Sequence, residues 1–303
     1  MFNKATKKNI NQIELSGYIK SLISLMKPRV MSLVIFTCAV GFITSNPNLK
    51  TFDAIIAITL VALGSGAAGC LNMWYEADLD ALMTRTCLRP IPTGKINRQQ
   101  ALIFGILLTA FSVVSLNYFT NFLSAFLLFF TIAFYLFVYT IWLKRKTPQN
   151  IVIGGIAGSL PPVIGWTIST NSISLVPISL FLIIFFWTPS HFWALSLYKA
   201  DDYKKAKIPM MPITDGVEKT KLYILIYSLL MLPVVILPYV INFSGFIYII
   251  PVMMLTFYYN FLCIDLYRYK KNKFDLKKAK KVFGYSILYL FLIFVLFLLD
   301  YLI

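Results

Sequence analysis

From residue 28 onward, long apolar runs alternate with short polar or basic breaks. Windows of about 20 apolar residues, the length of helix that crosses a bilayer core, fall at roughly 28–46, 52–72, 99–117, 120–142, 151–169, 175–197, 222–241, 243–265 and 282–303. Several are joined by turns as tight as NYFTN and STNSIS. The pattern predicts an all-α, polytopic membrane protein with nine transmembrane helices. Small residues recur at i, i+4 within two runs, GSGAAGC (64–70) and GGIAG (154–158), where they let helices approach closely in lipid. Pro161 and Pro162 interrupt the fifth run, a break tolerated where it lines a cavity.

Composition agrees with this reading. The 303 residues are 59% hydrophobic and only 13% charged, more apolar surface than a soluble domain of this length buries. A formal net charge of +16 in a soluble chain would suggest nucleic acid; in a polytopic one it sets orientation. Every lysine and arginine except Lys50 lies before or at the start of the first run or in the four longer loops that follow the second, fourth, sixth and eighth. The positive-inside rule then puts the N-terminus and those loops in the cytoplasm and the C-terminus outside, with no nucleic acid as partner. Residues 1–27 read as a cytoplasmic basic segment without a cleavable signal, and 28–303 as a single transmembrane domain. The basic stretch YRYKKNKFDLKKAKK (267–281) reads as a loop touching anionic headgroups of membrane lipid. Cys38, Cys70, Cys87 and Cys263 are scattered with no C-x-x-C pair, so they read as small buried apolar residues.

The acids cluster where cost argues against chance. Glu76, Asp78, Asp80, Asp201, Asp202, Asp215 and Glu218 all follow the second and sixth runs. As a helix, NMWYEADLD (72–80) stacks Asn72, Glu76 and Asp80 on one stripe while Asp78 points elsewhere. Like charges at this spacing repel and need a cation. Mg2+ suits amide and carboxylate oxygen and usually sits between carboxylates and a substrate's phosphates; the competing reading is a solvated helix end paired to Arg85 and Arg89. Tyr198 and Asp202, one turn apart with Asp201 adjacent, form a second acidic helix end. Two such ends hold two metals, and metals hold a diphosphate; Arg85, Arg89, Lys95, Lys144 and Arg145 are the cations at hand for its oxygens. RPIPTGK (89–95) and IPMMPITDG (208–216) each follow an acidic end, which suggests an internal repeat of four helices plus four with a ninth appended, the two equivalent ends facing across a cavity.

Asn72-x-x-x-Glu76-x-x-x-Asp80 and Tyr198-x-x-x-Asp202 resemble the two acidic motifs of the UbiA-type intramembrane prenyltransferases. Three longer blocks, GCLNMWYEADLDALMTRTCLRPIPTGK, LKRKTPQNIVIGGIAGSLPPVIGW and FFWTPSHFWALSLYKADDYKKAKIPMMP, are similar to that family's haem branch. The resemblance implies a bundle with a central cavity open at the cytoplasmic side of a bacterial inner membrane. It also implies Mg2+-dependent transfer of the farnesyl group of farnesyl diphosphate to a vinyl group of haem b. Water is captured, haem O forms, diphosphate leaves, and a downstream haem A-forming oxidase would be the next partner. This chain departs from the family in carrying Glu76 where relatives have aspartate and Tyr198 where they have an acid. It also sets Lys144 five residues after Tyr139 rather than at the Tyr-x-x-x-Lys spacing.

The single histidine, His191, follows Pro189 about 16 Å along the helix from Asp202 at 1.5 Å per residue. It reads as a haem-binding residue, with Trp187 and Trp193, and alternatively Trp166, as candidate porphyrin-packing neighbours; the other reading has it capping the carbonyl that Pro189 frees. A prenyltransferase acting on an aromatic or quinone-precursor acceptor would share the acidic ends and differ in the TPSHFWAL block. A Mg2+ or proton transporter would want acids spaced through the spans, and the sequence has none in the middle of any run.

Overall fold

The computed structural model describes residues 16–268 and 276–303; the N-terminal lysines before residue 16 and residues 269–275 of the predicted headgroup-touching loop lie outside them. In chain order the helices are α1 (Ser16–Leu25), α2 (Pro28–Ile43), α3 (Thr51–Tyr75), α4 (Ala77–Leu82), α5 (Arg98–Phe119) and α6 (Phe122–Ala133), which continues as a π-helix over Phe134–Leu143. Next come α7 (Asn150–Ser159), α8 (Pro161–Thr170), α9 (Leu175–Tyr198), α10 (Ala200–Lys205), α11 (Met211–Thr214), α12 (Val217–Val240), α13 (Phe246–Arg268) and α14 (Leu276–Leu302). No strand occurs among the described residues. Among the described residues eight helices are long and apolar enough to cross a membrane, and the count reaches nine if α1 and α2 are one span bent by 54°. The eight match the second to ninth runs of the sequence, the first run falls on α2, and the chain is a multi-pass membrane protein.

Local chemistry sets the breaks. Asn97 caps α5 with a reciprocal capping box to Gln100, satisfying helix-end donors that would otherwise be orphaned. Asn121 caps α6 through Ser124 and sends its amide to the Thr167 and Ile168 carbonyls at the end of α8, fastening two helix ends together. Pro161 and Pro162 open α8 after a one-residue interruption of the fifth span, as proline's missing N–H permits at a first turn. At the far end of the bundle, Asp300 of α14 accepts from the Gly245 and Tyr248 backbone N–H groups at the start of α13.

The core holds two large apolar clusters and a smaller third around Leu25, Cys70, Met73, Ala77 and Ile96 at the first acidic end. One large cluster draws mainly on α9, α12, α13 and α14, the other on α2, α3, α5, α6 and α8. Helices α3, α7–α8 and α9 are central, two-thirds or so buried, whereas α5 shows most of its surface outward with only 17% of its span buried; exposed Phe111, Phe122, Phe129 and Phe137 face where lipid would be.

Glycines set how close the central helices come. A Cβ on Gly41 of α2 would strike the Pro162 backbone carbonyl, and one on Gly165 of α8 would strike that of Cys38. Within GSGAAGC, Gly64 seats Leu128 of α6, while Gly66 and Gly69 receive Met26 and Lys27 from the corner between α1 and α2. Gly154 receives the Tyr139 ring. The small-residue stripes therefore do what the sequence suggested, and two of them also seat residues that border the polar end of the bundle. Replacing Gly41 or Gly165 by alanine is expected to destabilise the bundle by about 1–3 kcal/mol, the usual cost of overpacking, read as an earlier thermal unfolding transition in detergent; Gly284→Ala, where a Cβ meets nothing within 4 Å, should not lower it.

Candidate active site

The stripe that the sequence predicts survives a break in its helix. Between α3 and α4, Glu76 adopts φ −93°, ψ 13°, yet the backbone bonds Glu76 N–H to Asn72 O (3.0 Å) and Asp80 N–H to Glu76 O (2.8 Å) keep the i, i+4 spacing across it. Asn72, Glu76 and Asp80 are each only 2% exposed. Arg98 supplies the carbonyls that the break strands, donating to Trp74 O and Tyr75 O. The second acidic end is built alike: α9 stops at Lys199, φ −114°, ψ 18°, and six-residue α10 follows with Asp202 buried and Asp201 exposed. The equivalent breaks are what a four-plus-four repeat would produce.

Each buried acid has a partner. Arg89 grips Asp80 through NH1, at 2.8 and 2.7 Å from its two oxygens. Lys144 Nζ lies 2.6 Å from Glu76 Oε2, which it hydrogen-bonds, and 2.6 Å from Oε1, which it approaches without a hydrogen bond. Lys27 Nζ donates to Asn72 Oδ1, and the Asn72 amide donates to Thr140 Oγ1 at 3.1 Å. Thr84, in the loop after α4, lies 2.7 and 2.9 Å from the two Asp202 oxygens. That contact joins the first acidic end to the second. A bare buried carboxylate costs several kcal/mol, and such pairs persist only with close geometry.

Around this cluster the remaining candidates sort by position. Arg145 pairs with Asp78 at 3.1 Å, with both side chains well exposed, a contact worth under about 1 kcal/mol. Burial pulls the Asp78 carboxyl upward, but the hydrogen bond and charge of Arg145 outweigh it and hold the group below the usual carboxylate value. Arg85 and Lys95 are exposed and make no ion pair among the described residues. Tyr198 leaves the stripe, standing edge-on to Phe283 (5.8 Å) with Lys280 over its ring.

The displaced Tyr139–Lys144 spacing has a structural answer. A π-helix bonds i to i+5, and Lys144 N–H bonds Tyr139 O at 2.9 Å across that interval. The wide turn absorbs the extra residue, so Lys144 still stands by its tyrosine, 5.7 Å from the ring centroid, and reaches Glu76. Thr140 Oγ1 donates to Tyr135 O, again five residues back, while accepting from Asn72.

Next to the cluster an apolar cavity of about 130 Å³ runs between α2, α3, α6 and α8, with Lys27 at its polar end and Val61, Leu128, Ile132, Tyr135 and Ile164 along it. Among the described residues no three carboxylate, imidazole or thiolate groups cage a metal by themselves. The donor set nonetheless fits a magnesium ion shared with phosphate oxygens: Glu76 Oε1 is a buried carboxylate oxygen without a hydrogen bond, and Asp80, Asn72 and Asp202 lie in the same group of contacts.

His191 is buried in the other half. Its Nδ1 lies 2.6 Å from Ser286 Oγ of α14, not at the carbonyl freed by Pro189. Trp187 and Phe283 stack on its two faces at 4.2 and 4.6 Å. Trp193 does not join them. It is fully buried, edge-on to Tyr223 and Tyr227 of α12, because residues 187 and 191 share a helix stripe and 193 lies about 200° round from 191. Trp166 packs on Phe243. Sequence reading did not single out Lys27, Thr84, Thr140 or Ser286; Lys27 alone carried a signal, as a lysine beside Pro28 at the start of the first span.

The sequence pattern of the UbiA prenyltransferase family matches residues 33–287. A protoheme IX farnesyltransferase of Pelagibacter ubique is 69% identical, over 98% of this chain and 98% of its own. One of Parvibaculum lavamentivorans is 48% identical, over 94% and 89%. Among solved structures, a digeranylgeranylglyceryl phosphate synthase superposes with a TM-score of 0.78 at 17% identity, covering 94% of this chain and 98% of the other. A UbiA homologue of Archaeoglobus fulgidus bound to DMAPP and Mg2+ superposes at 0.66 and 18% identity, covering 91% and 99%. With the family pattern running through most of its length and relatives aligned from end to end, this chain belongs to the UbiA prenyltransferase family.

Proposed function

We propose that this membrane protein transfers the farnesyl group of farnesyl diphosphate to a vinyl group of haem b, with capture of water, to give haem O and diphosphate. The acceptor is supported by the relative that is 69% identical over nearly the whole chain and is named for that activity. The observation that carries the chemistry is the Thr84–Asp202 contact, which brings both acidic ends to one place beside an apolar cavity. A charged head and an isoprenoid tail then have adjoining sites, one polar and buried, one lined by aliphatic and aromatic carbon.

The residues divide the work by charge. Lys144, Arg89 and Lys27 are the half-buried cations nearest the stripe and, once the oxygens they now hold are engaged elsewhere, turn to the diphosphate oxygens; Arg85, exposed and without an ion pair among the described residues, is free to join them. Asn72, Glu76, Asp80 and Asp202 are the residues that would hold magnesium. The bound ion would supply charge neutralisation on the departing diphosphate, the term that lowers the barrier to an allylic cation. Burial excludes bulk water from the cluster, so that the fixed charges act in a low-dielectric setting. His191 and Trp187 belong on this reading to the acceptor's side, while the exposed Asp201 and Lys95 are left outside the reacting cluster. Cation placement supports a cytoplasmic site and N-terminus in a bacterial inner membrane, with the C-terminus outside; the product would pass to an enzyme that oxidises haem O.

Purified protein given farnesyl diphosphate, haem b and Mg2+ should convert haem to a species heavier by one farnesyl group and one hydroxyl group in the mass spectrum, the remaining proton of the captured water being released. Unchanged haem beside a prenylated phenolic acceptor would instead identify the aromatic-acceptor activity. Chelation with EDTA should abolish turnover and added Mg2+ restore it. Asp80→Asn and Asp202→Asn should each lower kcat by at least about 100-fold, the scale on which single electrostatic groups matter in such sites, with an unchanged elution profile; near-normal rates in both would remove the acidic ends from the reaction.

A further inference from the structure

Hydrogen-bond arithmetic around Ser286 fixes a proton that no coordinate shows. The serine hydroxyl has one hydrogen. Its Oγ lies 2.6 Å from the Phe283 carbonyl oxygen, which can only accept, so the hydrogen points there. The same Oγ lies 2.6 Å from His191 Nδ1. With its proton already donated the oxygen must accept from the ring, and Nδ1 carries the hydrogen. In the neutral imidazole the lone pair then belongs to Nε2.

The rest of the surroundings hold that arrangement still. Trp187 covers one face of the imidazole at 4.2 Å with a 21° interplanar angle, and Phe283 covers the other at 4.6 Å and 26°. Trp187 is itself pinned, its Nε1 donating to the Ser286 carbonyl at 2.8 Å. The ring cannot flip without breaking both stacks. A histidine kept only for packing would have both nitrogens satisfied. Here Nε2 meets no hydrogen-bond partner among the described residues and is not sealed in the core, while His191 keeps 7% of its surface. Clamped faces, a committed Nδ1–H and a free in-plane Nε2 are what a metal-ligating histidine needs, because coordination uses the ring edge and the opposite N–H sets tautomer and basicity.

We infer that His191 binds the iron of haem b through Nε2, and that Ser286 is the positioning residue that holds it in the ligating tautomer. The inference rests on the haem reading above and adds the atom and its support. Placing the porphyrin at His191, roughly 10 Å along α9 from Tyr198 at 1.5 Å per residue, sets the acceptor below the acidic ends where the cation would form.

The sequence holds one histidine, so in protein purified without a histidine tag any iron–imidazole signal has a single source. Ferric haem b titrated into detergent-solubilised protein should give a histidine-ligated absorption spectrum and, after reduction, an iron–histidine stretch by resonance Raman. His191→Gly should lose both and regain them with added imidazole. Ser286→Ala should keep ligation but weaken haem binding by about 10- to 100-fold, the usual effect of deleting a ligand's supporting hydrogen bond, and shift the stretch to lower frequency; Ser286→Thr, which keeps the hydroxyl, should recover both. Haem affinity and stretch unchanged in a folded Ser286→Ala protein would overturn the positioning role, and a histidine signal surviving in His191→Gly would overturn the ligand. Haem farnesylated by wild-type protein with no iron–histidine signal would sink this inference while leaving the proposed function standing. Wild-type protein that neither binds nor alters haem would end both.

Discussion

Three carboxylates and an amide, each less than a tenth exposed, sit at one end of a bundle made otherwise of hydrocarbon, and nothing else in the molecule makes sense until they are neutralised. An isolated buried carboxylate is untenable, so Glu76, Asp80 and Asp202 must be answered by Lys144, Arg89 and the Thr84 hydroxyl whenever the site is empty of ligand. Acids and partners together are drawn from four stretches of chain: the α3–α4 break, the loop after α4, the end of the π-helix and α10. Satisfying them fixes where the helix ends must meet, and the polar end becomes the place where α3, α6, α9 and the loop after α4 converge.

Meeting that demand in lipid is a packing problem, because apolar surface gains little there by leaving the bilayer and close contact has to supply the attraction. Glycine solves it at three levels: Gly41 and Gly165 bring the α2 and α8 backbones together, Gly154 admits Tyr139, and Gly66 with Gly69 admit the α1–α2 corner. At that corner Lys27 takes a left-handed conformation, φ 55°, before Pro28, a position that proline disfavours for α-helix and that non-glycine residues rarely occupy. The local cost turns the lysine inward to Asn72. Small residues at helical spacing and a strained lysine are thus parts of one arrangement, which puts a cation at the mouth of the apolar cavity.

What the sequence disclosed and what it hid follow from how far each signal reaches along the chain. The nine spans were legible because bilayer thickness imposes its own length on them, and the acid stripe because i, i+4 spacing is a local property that persisted through the break at Glu76. The equivalent break before Asp202 was foreshadowed by matching proline-rich loops. Thr84 could not be read in advance, since a threonine carries no charge pattern and its partner lies 118 positions away. Spacing made Lys144 look misplaced, because a one-residue excess in a helix shifts a side chain by about 100° unless the turn widens, and propensity does not announce a π-helix. Trp193 was grouped with Trp187 by proximity in sequence, whereas helical geometry sends the two to different neighbours.

The separation of the acidic ends from the buried histidine gives the arrangement its chemical logic. Cation formation and cation capture make opposite demands: the first wants fixed charge and a bound leaving group, the second an apolar, electron-rich wall without competing water. Here the aliphatic cavity lies between α2, α3, α6 and α8, the ion pairs of Glu76 and Asp80 stand at the α3–α4 break, and the clamped imidazole and its aromatic stack belong to α9 and α14. One polypeptide break, at Tyr198–Lys199, separates His191 from Asp202 on otherwise continuous helix, and the Thr84 hydroxyl ties Asp202 to the first acidic end. On the proposed function a donor held at the acidic ends and an acceptor held at the imidazole would meet between them, and rigid contact among these helices would decide whether the reacting carbons come within bonding reach.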